Sequence, residues 1–340
     1  MNITTSRKLR HHTLLMTGLL AATAAAATAW WVRRKAARAD ADHPPQGKFV
    51  EIDGVRLHYV MRGEGPPVVL LHGNTVTHAD FHASGLIDRL ARDHLVLAFD
   101  RPGFGHSSRP RDRFWTPTAQ AALIQRALVA LRIDQPVVVG HSMGTMVAVA
   151  LGLEHPAAVR GLVLVSGYYY PEIRYDALAT APVALPVVGD VMRYTVTAVA
   201  ARALIGPMVK GMFAPAAVPS GFYTAVPREI MVRPGQLRAN AEDATFMIPE
   251  ARTLSRRYGE LRMPVTIVAG ADDQVVDPEA HAQRLHRELP ASRLIVVPGE
   301  GHMVHHAAQD VIAAAIGGET SSPQEQAPDR TRPLPALQVA

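Results

Sequence analysis

The chain contains no cysteine, which excludes disulfides, thiolate zinc sites and a cysteine nucleophile while leaving the redox compartment open. It also lacks any HExxH pattern, so the commonest helical zinc-hydrolase arrangement is absent. Net charge is missing from most of its length. The formal charge is +5 and the pI about 9.7, but residues 1–47 hold seven basic residues (Arg7, Lys8, Arg10, Arg33, Arg34, Lys35, Arg38) against Asp40 and Asp42. The remainder is therefore balanced, and a nucleic-acid footprint spread over the folded part is excluded as a reading. With 340 residues, 48% of them hydrophobic, and no low-complexity bulk, the chain has enough material for a large core in one domain plus an insertion.

What is present first is a run of twenty residues without charge, Thr13 to Val32, bracketed by basic residues on both sides. At about 1.5 Å per residue it spans roughly 30 Å, the thickness of a bilayer core. Trp30 and Trp31 at its end fit an interfacial belt. The length of the run favours an uncleaved single-pass membrane anchor. A secretory signal cut after Ala27-Thr28-Ala29, giving a secreted or periplasmic protein, and an exposed alanine-rich helix are the competing readings. Ala39 to Gly47, with Pro44 and Pro45, reads as a linker.

Beyond the linker, apolar runs alternate with helical stretches. Phe49–Ile52 and Val55–Val60 flank Asp53-Gly54, a hairpin signal. Val68–Leu71, His94–Phe99, Pro136–Val139 and Gly161–Val165 read as buried strands, with helices near Phe81–Ala91, at Thr116–Leu131 and from Met143. From about Tyr168 to Tyr258 buried strand runs are missing and prolines recur, which predicts a mostly helical insertion. Alternation resumes with a strand at Pro264–Ala269, a helix over Pro278–Leu289, a strand at Arg293–Val297 and a helix over Val304–Ile316. The expected organisation is an anchor and linker (1–47), a core in two parts (48–167 and 259–317), a helical cap (168–258) and a disordered tail (318–340).

The organising motif is Gly140-His141-Ser142-Met143-Gly144, the one GxSxG match in the chain, set at a strand-to-helix junction. A serine there sits on a strained bend that presents its hydroxyl. That hydroxyl needs a base, and the base needs an orienting acid. Downstream, Ala271-Asp272-Asp273 and Gly301-His302 each follow a strand, giving the order Ser142, Asp273, His302. Asp272 is the rival acid. Asp277 reads as the cap of the next helix ahead of Pro278. His305 and His306 imitate a metal cluster in spacing but read as surface or packing histidines, so no metal site is expected.

Taken together, these motifs resemble the α/β-hydrolase superfamily, in its cap-bearing branch of esterase-like and C–C-bond-hydrolase-like members, over about Phe49 to Ile316. His72-Gly73-Asn74 resembles the oxyanion loop, Asp100 to Ser107 the stretch after the fourth strand, Gly140 to Gly144 the elbow, Gly270 to Val276 the acid loop, and Gly301-His302 the histidine loop. The resemblance implies a mostly parallel, doubly wound sheet of about eight strands with a helical cap after the sixth. It implies Ser142 as nucleophile, His302 as base then acid, Asp273 as orienting carboxylate, and the backbone amides of Asn74 and Met143 as oxyanion donors. His72, Tyr168 and Tyr169 are candidate walls of a pocket for a small-to-medium hydrophobic substrate, with rings packed between sheet and cap the alternative for the tyrosines. The implied activity is cofactor-free carboxylic ester hydrolysis; C–C bond, lactone and amide hydrolysis, or a non-catalytic binding role, are the alternatives. Epoxide hydrolases and haloalkane dehalogenases of this fold need a carboxylate where this chain has Ser142.

Overall fold

The computed structural model of the protein describes residues 3–318, so the expected disordered tail falls almost wholly outside the described residues. Eight strands form one sheet: β1 (Lys48–Ile52), β2 (Val55–Arg62), β3 (Pro67–Leu71), β4 (Leu95–Phe99), β5 (Val137–His141), β6 (Gly161–Val165), β7 (Val265–Gly270) and β8 (Arg293–Val297). Their spatial order is β1-β2-β4-β3-β5-β6-β7-β8. β2 runs antiparallel to β1 and β4; every other pairing is parallel.

The apolar runs explain why the inner strands lie inside. Along β3, Val69 and Leu71 join one core while Val68 and Leu70 join the other. The same alternation divides Leu162 and Leu164 from Val163 and Val165 on β6. A strand buried on both faces must be apolar at every position, because its side chains alternate between two packed layers. Helices Pro117–Ala130 and Met143–Glu154 cover one face; Phe81, Leu86, Leu90 and Ile312 cover the other.

Several local expectations are revised. The helix expected near Phe81–Ala91 is two short ones, Ala79–Ala83 and Leu86–Leu90, because Gly85 takes a left-handed φ of 76° that an α-helix cannot include. The helix expected to start at Val304 begins with a single tight turn, and its α-helical part runs over Gln309–Gly317. Residues placed in a linker from Ala39 are helical to Asp42: one 40-residue helix, Ile3–Asp42, carries the uncharged run. Its later turns pack on the protein, with Val32 fully buried and Asp40 ion-paired to Arg233.

Between β6 and β7 the described chain is helical, including Tyr175–Ala184, Val188–Tyr194, Val196–Phe213 and Pro234–Ser255. Pro182, Pro207 and Pro249 lie inside these helices rather than ending them. Val209 and Phe213 pack with Val76 and Met303, so this segment roofs the loops after β3 and β8.

Candidate active site

Ser142, Asp273 and His302 follow β5, β7 and β8, and the loop His72-Gly73-Asn74 follows β3. All four sit at the carboxyl ends of parallel strands. Strand order reverses between β3 and β5, the place where open α/β sheets leave a crevice.

Ser142 is at φ 52° and ψ −120°, a strained position for a non-glycine residue, costing on the order of 1–3 kcal/mol. Its amide is held by the Val165 carbonyl at 2.9 Å, and its own carbonyl accepts from the Thr145 hydroxyl at 2.6 Å. The bend leaves the residue half-buried at the start of helix Met143–Glu154. Its Oγ lies 2.9 Å from Nε2 of His302, whose Nδ1 lies 2.8 Å from Oδ2 of Asp273. Both partner side chains are almost fully buried. The other carboxylate oxygen of Asp273 accepts from the amides of Val275 (2.8 Å) and Val276 (3.0 Å), which fixes its plane. A proton on Nδ1 then leaves Nε2 free to accept from the serine hydroxyl.

Asp272, the rival acid, instead accepts from the Gly299 amide at 3.1 Å and does not meet His302. Asp277 caps the following turn through the amides of Glu279 and Ala280, as its position before Pro278 implied.

The loop after β3 is pressed against the elbow. A Cβ on Gly73 would lie 2.9 Å from Cβ of Ser142 and 3.1 Å from Nδ1 of His141, so only glycine fits without displacement. Met143 begins its helix, where a first-turn amide has no intrahelical acceptor. The loop is held from behind by Arg101, a fully buried residue whose importance the sequence did not signal. Its Nη2 donates to Oδ1 of Asn74 (2.7 Å), its Nε to the His72 carbonyl (2.8 Å), and its Nη1 to Gln120 (3.0 Å) and Asp243 (2.5 Å). Asp243 lies on the roof helix Pro234–Ser255 and also accepts from Arg109 at 2.9 Å. One buried ion pair thus ties the roof to the loop.

The three residues placed in a substrate pocket are packed against protein instead. His72 is fully buried; its Nδ1 meets the Gly73 carbonyl at 2.7 Å and its Nε2 accepts from the Arg101 amide at 2.9 Å. Burial first, and then the Arg101 charge, pushes its pKa down to about 3, so it stays neutral and braces the loop. Tyr168 and Tyr169 are each 1% exposed, with ring centroids 4.7 and 6.5 Å from that of His281. Two surface clefts of about 500 Å³ flank the roof; none of Ser142, Asp273 and His302 lines either one.

Of the surface and packing readings of His305 and His306, the structure shows packing. Asp80, fully buried, meets Nε2 of His305 at 2.8 Å and Nε2 of His306 at 2.9 Å. Burial opposes its charge, yet the two imidazoles hold the carboxyl far below its usual range. His305 is lowered, chiefly by burial. Its ring is 4.3 Å from that of His141, whose Nε2 lies 3.0 Å from the His302 carbonyl. His141 is pushed well below its ordinary value by burial and then by its histidine neighbours. A second cluster, His58, His78 and Asp100, closes in the same way through 2.8 Å contacts. Both sets have ligand-type atoms close enough for a metal ion, but in each the carboxylate oxygens are already engaged by imidazole nitrogens.

A sequence profile described as the alpha/beta hydrolase family matches residues 68–315, most of the chain, and the chain belongs to that family. Among curated proteins it is similar to haloalkane dehalogenase 2 of Mycobacterium tuberculosis, 25% identical over 286 residues covering 81% of this chain and 94% of the relative. It is also similar to 2-(acetamidomethylene)succinate hydrolase of Mesorhizobium japonicum, 28% identical over 283 residues, covering 78% and 92%. Among solved structures, an alpha/beta hydrolase fold protein from Burkholderia ambifaria superposes with a TM-score of 0.67 at 25% identity, covering 79% of this chain and 96% of that one.

Proposed function

We propose that the protein is a serine hydrolase of carboxylic esters, held at a membrane by its first helix, with Ser142 as nucleophile. The observation carrying this reading is the unbroken row of contacts from Ser142 Oγ to His302 at 2.9 Å and from His302 to Asp273 at 2.8 Å. In this reading His302 Nε2 takes the hydroxyl proton as Oγ attacks the substrate carbonyl. Asp273 stabilises the imidazolium that results, and the same proton passes to the departing alcohol. The Asn74 and Met143 amides receive the charge on the carbonyl oxygen, and losing one such donor typically costs on the order of 10²–10³-fold in rate. Water then repeats the sequence on the acyl-enzyme, so no cofactor is required.

The functional division follows: residues 48–167 and 259–317 carry the chemistry, and 168–258 cover it. We assign a small-to-medium hydrophobic substrate and no nucleic-acid partner. The first helix is long and apolar enough to cross a bilayer, which supports the anchor. Lactones, amides and activated C–C bonds yield to the same three groups. The test is a panel of esters, lactones, amides and vinylogous diketones, with S142A as the blank. Turnover of medium-chain esters above acetyl esters supports the reading; turnover of diketones alone would replace ester with C–C cleavage.

A further inference from the structure

The helical roof carries apolar surface that the protein itself leaves uncovered. Eleven exposed large hydrophobic residues fall between Ile173 and Met208, among them Leu185, Val187, Val188, Val191, Val196 and Val199. Val188 and Val191 share one face of the short helix Val188–Tyr194 by i, i+3 spacing, and Val187 stands just ahead of that helix. The adjoining helix Val196–Phe213 is apolar enough to qualify as a membrane span by length and composition, yet only Ala198, Ile205, Val209 and Phe213 of its eighteen residues are buried in the protein. Uncovered apolar surface of this kind marks an interaction site.

What lies beside the patch identifies its occupant. The Arg202 guanidinium, on helix Val196–Phe213, sits 5.1 Å from the ring of Trp31, and Arg33 sits 5.2 Å from the ring of Tyr194, at the end of the helix that carries Val188 and Val191. Val32, the last residue of the uncharged run, is fully buried against the protein. The roof therefore meets the first helix at the boundary where that run gives way to Arg33, Arg34 and Lys35. If the run spans the bilayer, this contact holds Val191 and Val199, each three residues along the helix from Tyr194 or Arg202, within about one helical turn, roughly 5 Å, of the hydrocarbon boundary. The basic residues at the same level suit phosphate headgroups.

Resting on the anchor reading above, we propose that the roof edge formed by Leu185, Val187, Val188, Val191, Val196 and Val199 inserts into the same bilayer that the first helix crosses. An amphipathic edge of this type buries its apolar face about 5–10 Å into the headgroup and acyl boundary. The covering over the triad is then a membrane-embedded element.

The cysteine-free chain makes the test direct. Single cysteines at L19C, V129C, V191C and V199C in the full chain, reconstituted into phosphatidylcholine/phosphatidylglycerol vesicles, would carry an environment-sensitive fluorophore. Nitroxide lipids should quench the labels at 19, 191 and 199, which should lose quenching by aqueous iodide, while the label at 129, exposed on the core, shows the reverse. Iodide quenching at 191 and 199 equal to that at 129, with 19 still in lipid, would overturn the insertion and spare the anchor. A water-exposed label at 19 would overturn both. Ester turnover by the same preparations reports the hydrolase reading separately.

Discussion

Replacing Asp243 by alanine removes the carboxylate that links the roof to the loop behind Ser142. That carboxylate has no exposed side-chain surface and accepts from Arg101 at 2.5 Å, Arg109 at 2.9 Å and Gln120 at 3.1 Å. Arg109 keeps Glu242 at 2.6 Å, so one guanidinium retains a counterion. Arg101 is left fully buried with only neutral acceptors: Gln120, the His72 carbonyl and Asn74. Breaking a buried pair by removing one partner typically costs about 3–5 kcal/mol, because the remaining charge is uncompensated. Against a usual total of about 5–15 kcal/mol the loss is large. Urea unfolding of wild type and D243A in the same detergent, followed by tryptophan fluorescence, should show a lower midpoint at similar slope. In the double variant D243A/R101M the stranded charge is gone, and much of the loss should return. Folded D243A should also lose kcat with little change in KM, since Arg101 positions Asn74 rather than substrate. A destabilisation under about 1 kcal/mol, or no recovery in the double variant, would refute this account of the pair.

Other outcomes follow from the same geometry. G73A places a Cβ 2.9 Å from Cβ of Ser142, so kcat should fall on the order of 10²-fold, as for a displaced oxyanion donor, while circular dichroism stays native. A wild-type rate would mean the loop has room to move. The folded-state pKa values of His72, His141 and His305 all lie below the unfolded value near 6.5. Protons bind the unfolded chain first, so stability is full above that value and falls on acidification by at most about 1.4 kcal/mol per pH unit for each such group. His78, raised by Asp100 against burial, works in the opposite sense and offsets part of this. The melting temperature should therefore drop between pH 7 and pH 5; a flat profile would contradict neutral buried imidazoles.

The parallel strands could be read from the amino acids because burial on both faces demands uninterrupted apolar runs, and Val137–Val139 and Gly161–Val165 have them. Ser142, Asp273 and His302 were legible because strand ends and loop motifs fix where such groups emerge. Two features were not. Arg101 and Asp243 stand 142 residues apart, and an aspartate on a polar helix carries no local sign of its partner. For His305 and His306 the choice between surface and packing stayed open because Asp80, the carboxylate they pack on, is 225 residues from His305. For His72, Tyr168 and Tyr169 the sequence left pocket wall and packing side by side for a related reason: position after a strand tells that a side chain lies near the crevice, but packing decides whether it faces in, and all three are buried against protein.

Covalent capture at Ser142 probes the proposed reaction most directly. The folded full-length protein treated with a fluorophosphonate should carry one adduct, located by mass spectrometry on Ser142. S142A should carry none, and H302A, lacking the base 2.9 Å from Oγ, should label far more slowly. A correctly folded wild type that stays unlabelled, or an adduct on another residue that persists in S142A, would contradict the row of hydroxyl, imidazole and carboxylate as the working machinery.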